Sequence, residues 1–293
     1  MERKIDGYTR VCGLIGNPVE HTMSPAIHNT IAKGQNENLV YTAFRVQEDK
    51  VGEAVKGAFA LNFLGMNVTV PYKSRVIPYL ADLDPHAGQI GAVNTLVRVE
   101  NGFKGYNTDM PGLYRAFCED GISIAGEKVI ILGAGGVARA VAILLAEKGA
   151  DEVIIINRTV EKAEKIAGEV NQFAGRQMVK VLGLEEYHSL PGEDKYLAIQ
   201  TTNVGMFPKV DEAVIEDSDF YQRIHTGYDL IFNPARTRFM ELVEEAGGKA
   251  YNGLKMLLYQ GIIAYELWTG SKVSDELTKE AYSEMKRAMH LDE

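Results

Sequence analysis

Lys73 and Asp109 each close a run of small polar residues, Gly65-Met66-Asn67-Val68-Thr69-Val70-Pro71-Tyr72-Lys73 and Gly105-Tyr106-Asn107-Thr108-Asp109. A lysine ammonium beside a carboxylate can bind a ligand oxygen and exchange a proton with it. A positioned proton carrier is commonly worth about 10²–10⁴-fold in rate. Two further runs share this composition, Gly16-Asn17-Pro18-Val19-Glu20-His21-Thr22-Met23-Ser24-Pro25 and Gly91-Ala92-Val93-Asn94-Thr95. Gathered hydroxyls and amides suit a polyhydroxylated ligand, because each ligand hydroxyl needs a partner once water is removed. By composition alone, Lys73 and Asp109 would be a surface ion pair worth about 0–1 kcal/mol. The polar runs around them favour chemistry.

A second constellation is a phosphate loop. Gly133-Ala134-Gly135-Gly136-Val137-Ala138 has the form G-x-G-x-x-A, directly after the apolar run Lys128–Leu132 and at the start of a helical pattern. The first glycine makes the tight turn, the second admits a pyrophosphate, and the small last residue lets helix and strand pack closely. Free N–H groups and the helix dipole then hold the anion. An NAD site usually carries a carboxylate about 20 residues on, bonded to the ribose 2′-hydroxyl. Here Asn157-Arg158-Thr159 stands at the end of the next strand, with Lys162 one helical turn later. Arg158 can fork onto a 2′-phosphate and stack on adenine, so NADP is favoured over NAD. Hydride transfer at an alcohol carbon, with Lys73 and Asp109 handling the proton, joins the two constellations.

The elements that must position them alternate. Strands are expected near Val11–Ile15, Leu39–Phe44 and Met66–Val70, and helices near Pro25–Lys33, Asp49–Ala60 and Lys73–Ala81. Strands follow at Lys128–Leu132, Glu152–Ile156, Val179–Leu182, Leu197–Gln200 and Tyr228–Phe232. Helices fall between them at Val137–Lys148, ended by Gly149, and after Thr159 as cap. Leu254–Thr269 and Ser274–His290 read as closing helices, the first almost wholly apolar and hence buried. This alternation gives an α/β fold with mostly parallel strands. We expect a substrate-binding domain over 1–109, a dinucleotide-binding Rossmann domain over 110–252, and helices over 253–293 returning to the first domain. In open sheets of this kind, ligands bind beyond the carboxyl ends of the strands.

The chain has 293 residues, 46% hydrophobic and 24% charged, which suits about two globular domains and excludes a disordered chain. Lys+Arg 31 against Asp+Glu 40 leaves a formal charge of −9. No nucleic acid or anionic membrane is therefore expected as a partner. The most apolar stretch, Val129–Ala146, is broken by three glycines and Arg139, so it does not read as a membrane span. No secretory signal is expected from the opening Met-Glu-Arg-Lys-Ile-Asp, which points to the cytoplasm. Cys12 and Cys118 are too few for a disulfide framework, and both are expected to be reduced and buried. The six histidines lack metal-site spacing, so no metal is expected.

Over nearly its whole length the chain resembles the shikimate dehydrogenase family. The likeness rests on Asn17–Pro25, Asn67–Lys73, Gly91–Thr95, Asn107–Asp109, Gly133–Gly136, Asn157–Thr159, Val204–Met206 and the tail Gly253–Gly261. It implies NADP-dependent, reversible reduction of 3-dehydroshikimate to shikimate. It implies that Lys73 carries the proton with Asp109 as partner, and that Thr22 and Ser24 bind the substrate carboxylate. Asn67, Thr69, Asn94 and Gln260 would hold the remaining oxygens. Gly133–Ala138 and Asn157–Thr159, with Lys162, would hold NADP, and Leu230 and Gly253 would lie near the nicotinamide. Three positions depart from the family's pattern. Thr22 replaces a usual serine, Phe232 replaces a tyrosine that bonds the carboxylate, and Gln200 replaces an asparagine.

These departures leave quinate, or both polyols, open as substrate. A non-catalytic sensor of metabolite and cofactor is a reading of another class, opposed by the intact Lys73/Asp109 pair. A two-domain dehydrogenase acting on a folate is a third, and the Thr22/Ser24 segment favours a carboxylated polyol over it. A monomer or a homodimer fits all of them.

Overall fold

The computed structural model describes residues 5–291. It divides into two compact units, one running up to Arg115 and resuming at Leu257, the other Ala116–Met256. The divisions fall inside two helices, a few residues beyond the junctions expected at 109 and 252.

In the first unit, β1 (Arg10–Gly16), α1 (Ser24–Gly34), β2 (Leu39–Arg45), α2 (Val51–Ala60) and β3 (Gly65–Val68) come first. They are followed by β4 (Asp82–Leu83), α3 (Pro85–Ile90), β5 (Thr95–Val99), β6 (Gly102–Tyr106) and α4 (Asp109–Glu119). The six strands form one sheet in the order β2-β1-β3-β5-β6-β4. β1 pairs parallel with β2 and β3, and β4 pairs parallel with β6. β5 runs antiparallel to both β3 and β6. On one face Val51 and Val55 of α2 pack with Ile15, Met66, Val68, Leu96 and Phe103. Apolar side chains at alternate strand positions meet the helix stripe there.

No α-helix forms over residues 73–81. Turns lead into a single 3₁₀ turn, Ile77–Tyr79. Pro78 has no N–H to continue a helical ladder, so the segment stays a connector. Lys73 therefore sits on a tight turn directly after β3.

The second unit holds β7 (Lys128–Leu132), α5 (Gly136–Glu147), β8 (Glu152–Asn157), α6 (Val160–Ala174), β9 (Val179–Gly183) and β10 (Tyr196–Gln200). Then come α7 (Ser218–Tyr221), β11 (Ile224–Asp229), α8 (Arg238–Glu245) and β12 (Lys249–Tyr251). Its sheet is wholly parallel, in the order β12-β11-β10-β7-β8-β9. Gly149, at φ 81°, follows α5 in the left-handed conformation that glycine tolerates. Thr159 flanks α6 in extended geometry but its side chain makes no capping bond. β11 ends at Asp229 rather than at Phe232, because the Asp229 side chain captures the Ile231 N–H at 2.9 Å and turns the chain. The tail forms α9 (Leu254–Thr269) and α10 (Asp275–Ala288), and α10 packs on α1 in the first unit. Among the described residues no helix is long and apolar enough to cross a membrane.

The polar strand ends of the first unit are braced by an aromatic stack. His28 of α1 is fully buried, and its ring lies on Tyr41 with centroids 4.2 Å apart and planes 16° apart. Trp268 of α9 stands 5.0 Å from His28, and its Nε1–H donates to the Leu96 carbonyl at 2.9 Å. Its indole occupies the space beside Gly65, where a Cβ would lie 2.1 Å from Nε1. Cys12 is buried and its thiol is pushed up to about 12 by that burial. Cys118 is exposed, contrary to the expectation from its type, because it lies on the outer face of α4.

Burial pushes the His28 imidazole down to about 3. The unfolded chain takes up this proton below about 6.5, and the folded chain refuses it until about 3. The contribution of His28 to stability therefore falls as pH drops through that window. Urea-unfolding midpoints between pH 7 and pH 4 should decline more steeply for the wild type than for His28→Phe. Parallel profiles would show that the histidine does not titrate in this way.

Candidate active site

The carboxyl ends of the first unit's strands bring the polar runs into one cluster. Lys73 Nζ donates to Asp109 Oδ2 at 2.7 Å, with side chains 32% and 16% exposed. The other carboxylate oxygen, Oδ1, accepts from Asn94 Nδ2 at 2.8 Å. Asn94 Nδ2 also reaches Gln260 Oε1 at 3.4 Å, so helix α9 enters the cluster. Gln260 can approach because Gly112 of α4 has no side chain, where a Cβ would stand 2.7 Å from the Gln260 amide nitrogen.

Local sequence fixes each partner. The Val93 N–H donates to the Lys73 carbonyl at 2.7 Å, tying the lysine's turn to the Asn94 strand. Asn94 Oδ1 accepts from the Thr108 N–H at 2.7 Å, and from the hydroxyls of Thr95 and Thr108 at 3.1 Å. Asn107 Oδ1 accepts from the Asp109 N–H at 3.1 Å and the Met110 N–H at 3.3 Å. Asn107 thus opens α4 with a side-chain oxygen on otherwise orphaned amides, which aims Asp109 inward. Asn67 is 4% exposed and donates to the Asn94 carbonyl at 3.2 Å and to Thr95 Oγ1 at 3.1 Å. Thr69, just past β3, is half-buried and its N–H donates to the Ile15 carbonyl at 2.9 Å.

Thr22 and Ser24 lie where the chain enters α1. The Thr22 hydroxyl donates to Ser24 Oγ at 3.1 Å, and the Ser24 N–H donates to Thr22 Oγ1 at 3.3 Å. Pro25 in the first turn presets the helix, leaving both hydroxyls at its amino end. Of the substrate candidates, Phe232 alone belongs to the second unit, half-buried in the segment after β11.

The second unit carries the phosphate loop at the carboxyl end of β7. Gly133 adopts φ 111°, and a Cβ there would strike Thr202 Cγ2 at 2.7 Å and Thr201 Oγ1 at 2.8 Å. Gly135 is the flanking residue of α5 and makes no side-chain cap, and the helix's first turn holds no acidic residue. Gly135 and Gly136 are exposed, with no atom within 4 Å of where a Cβ would stand. Ala134 is half-buried, Val137 is 43% exposed, and Ala138 is buried against the sheet. A helix amino end with free amides and open space over it suits a pyrophosphate. At the end of β8, Asn157 Nδ2 donates to the Thr159 carbonyl at 2.8 Å. Arg158, Thr159 and Lys162 are exposed on that rim. These residues fit a phosphorylated dinucleotide, with two cations for an extra phosphate.

Leu230 and Gly253 meet. A Cβ on Gly253 would lie 2.3 Å from the Leu230 carbonyl oxygen, and the Gly253 N–H donates to the Ile231 carbonyl at 3.0 Å. Asp229, just before Leu230, has no counterpart in the sequence reading. It is fully buried, accepts from Thr237 Oγ1 at 2.6 Å and the Ile231 N–H at 2.9 Å, and burial pushes its carboxyl up to about 6. Gln200 is likewise buried, with Oε1 on the Thr202 N–H at 2.6 Å and Nε2 on the Val204 carbonyl at 3.0 Å. It braces the loop beside Gly133. Among the described residues no group of three histidine, cysteine or carboxylate side chains is placed to hold a metal.

Family models match three stretches of the chain. They are the shikimate dehydrogenase substrate binding domain over 14–96, shikimate/quinate 5-dehydrogenase over 118–190, and the shikimate 5′-dehydrogenase C-terminal domain over 253–281. A curated shikimate dehydrogenase (NADP⁺) of Desulforamulus reducens is 42% identical over 282 residues, covering 91% of this chain and 92% of that one. A shikimate dehydrogenase solved with NADP⁺ superposes with a TM-score of 0.87 at 38% identity, over 96% of each chain. A shikimate 5-dehydrogenase of Listeria monocytogenes, solved with shikimate and NAD, gives 0.87 at 34% identity over 96% of this chain and 98% of that one. With the same motifs, the same architecture and nearly the whole length in common, this chain belongs to the shikimate dehydrogenase family.

Proposed function

We propose that this protein is an NADP-dependent shikimate dehydrogenase that interconverts 3-dehydroshikimate and shikimate. The observation that carries the reading is the Lys73–Asp109–Asn94 cluster, with Nζ 2.7 Å from one carboxylate oxygen and Asn94 Nδ2 2.8 Å from the other. NADPH, when bound, supplies the hydride that reduces the ketone carbon. The chain's own work is to bind the polyol, fix its orientation and move the proton. Reduction leaves negative charge on the former ketone oxygen, and Lys73 supplies a proton there; in the oxidative direction it takes one back. Asp109 keeps the ammonium aimed and accepts from a neighbouring substrate hydroxyl. Asn94, Asn67, Thr69 and Gln260 partner the remaining oxygens.

Thr22 and Ser24 donate to the substrate carboxylate. Phe232 offers no hydroxyl there, so recognition of the carboxylate rests on the two hydroxyls at the amino end of α1. The free amides of Gly133–Ala138 hold the pyrophosphate. Asn157, Arg158, Thr159 and Lys162 hold the adenosine end and its 2′-phosphate, and Leu230 and Gly253 border the nicotinamide. In this reading the first unit binds substrate and the second binds NADP. We take a monomer or a homodimer as the working form. We place the enzyme in the cytoplasm, in line with two free cysteines and a reductive biosynthetic role. A non-catalytic sensor would have no use for the ammonium–carboxylate pair.

Steady-state rates with shikimate and quinate, each with NADP⁺ and NAD⁺, test the assignment. Shikimate with NADP⁺ should give the highest kcat/KM, and a preference for quinate would overturn the substrate. Lys73→Ala should lower kcat by about 10²–10⁴-fold with little change in thermal stability. A variant with near-normal kcat would remove the lysine from the proton step. Arg158→Ala should raise KM for NADP⁺ by about 10–100-fold, the worth of hydrogen bonds to a charged group, and leave NAD⁺ nearly unaffected. Equal losses with both cofactors would refute its contact with the 2′-phosphate.

A further inference from the structure

Asn67 is among the most enclosed of the residues assigned to substrate, 4% exposed, and its amide is nearly used up by the protein. Both Nδ2 hydrogens are committed, to the Asn94 carbonyl and to Thr95 Oγ1. Oδ1 accepts from the Tyr41 phenol at 2.8 Å. A side-chain amide has two donor hydrogens and an oxygen with two lone pairs. The buried His28 ring also interacts with the Asn67 side chain, so at most one lone pair on Oδ1, and no donor, remains for a ligand.

Tyr41 is held so that it cannot withdraw. Its ring is sandwiched against His28 at 4.2 Å, with Trp268 at 6.0 Å. Its backbone N–H donates to Asn29 Oδ1 at 3.0 Å, and its carbonyl accepts from Asn29 Nδ2 at 2.8 Å. It is 2% exposed. Burial raises the phenol well above its usual range, with the Ser24 hydroxyl acting in the opposite sense, so the hydroxyl keeps its proton and remains a donor.

We propose that Tyr41 is a positioning residue for substrate recognition, fixing the Asn67 amide in the one orientation that presents an acceptor and no donor to the ligand. The inference rests on the assignment of Asn67 to the substrate. It makes Asn67 a polarity filter. A ring hydroxyl can donate to Oδ1 and is accepted; a keto or ether oxygen at that ring position sets acceptor against acceptor and is refused. Without the phenol, Oδ1 loses its fixed donor and the amide is held only by its two longer Nδ2 bonds, so the direction of its free lone pair is no longer set.

The test uses the full chain with shikimate and NADP⁺. Tyr41→Phe should raise KM for shikimate about tenfold, shift kcat by less than about threefold, and leave KM for NADP⁺ unchanged. In an Asn67→Ala background the same change should have no further effect. Unchanged KM for shikimate, losses shared by both substrates, or effects that multiply in the double variant would each overturn the proposal. Should Tyr41→Phe fail to fold, proton NMR of the wild type decides. The Tyr41 hydroxyl proton should exchange slowly and vanish from its position in Asn67→Ala, and a rapidly exchanging hydroxyl would overturn the proposal. A wild type that does not oxidise shikimate would instead sink the functional assignment, so the two failures are told apart in one assay.

Discussion

The Asp109 carboxylate is the point on which the site depends. Its two oxygens face different partners, Lys73 on one and Asn94 on the other. Each partner is then fixed by backbone that belongs to another polar run. The Lys73 turn is tied to Val93, Asn94 is tied to Thr108, and Asp109 is held by Asn107. An exposed lysine–aspartate pair contributes little, because solvent screens it and both side chains lose freedom. Here the loss of freedom is spread over a network that is already ordered, so the ammonium is held in place before substrate arrives. Such preorganisation is what proton transfer at a developing charge requires.

The network runs against the general expense of burying polar groups. Asn67, Asn94, Thr95 and Thr108 are nearly inaccessible, and each has hydrogen-bond partners. A half-satisfied cluster would cost more than an apolar core of the same shape. Satisfying each member is compatible with stability and also restricts what the ligand can do. Asn67 keeps an acceptor for the ligand, and Asp109 keeps what Lys73 and Asn94 leave. The residue types supply the donors and acceptors, while the bonds behind them decide which way each can point. The phosphate loop works by the opposite device. Gly135 and Gly136 leave a helix amino end bare, with open space where side chains would stand.

Much of this was legible in the sequence because local chemistry carries it. Apolar runs of β-branched residues marked β1, β2, β7 and β8, and the glycine loop between β7 and α5 could be read from spacing alone. Arg158, standing where an NAD site usually carries a carboxylate, pointed to NADP, the cofactor named for the relatives. The same local reading failed where a single neighbouring side chain, or a missing N–H, governs the backbone. Pro78 leaves a 3₁₀ turn where a helix was expected, and the Asp229 side chain ends β11 before Phe232. Cys118 is exposed because the outward face of α4, not the residue type, decides its environment.

The sequence by itself determined the inventory: which hydroxyls, amides, ammonium and carboxylate stand at strand ends, and that a phosphate loop follows β7. Side-chain type and spacing along one element fix these things through propensity and backbone geometry. Only the tertiary structure decided the connections among them. Tyr41 reads as an ordinary core residue of a strand, and its bond to Asn67 spans 26 positions. Gln260 joins Asn94 across 166 positions, through a contact that Gly112 permits. Hydrogen bonds are short and directional, so which of two amide atoms faces a ligand depends on where distant segments come to rest, and no local pattern encodes that.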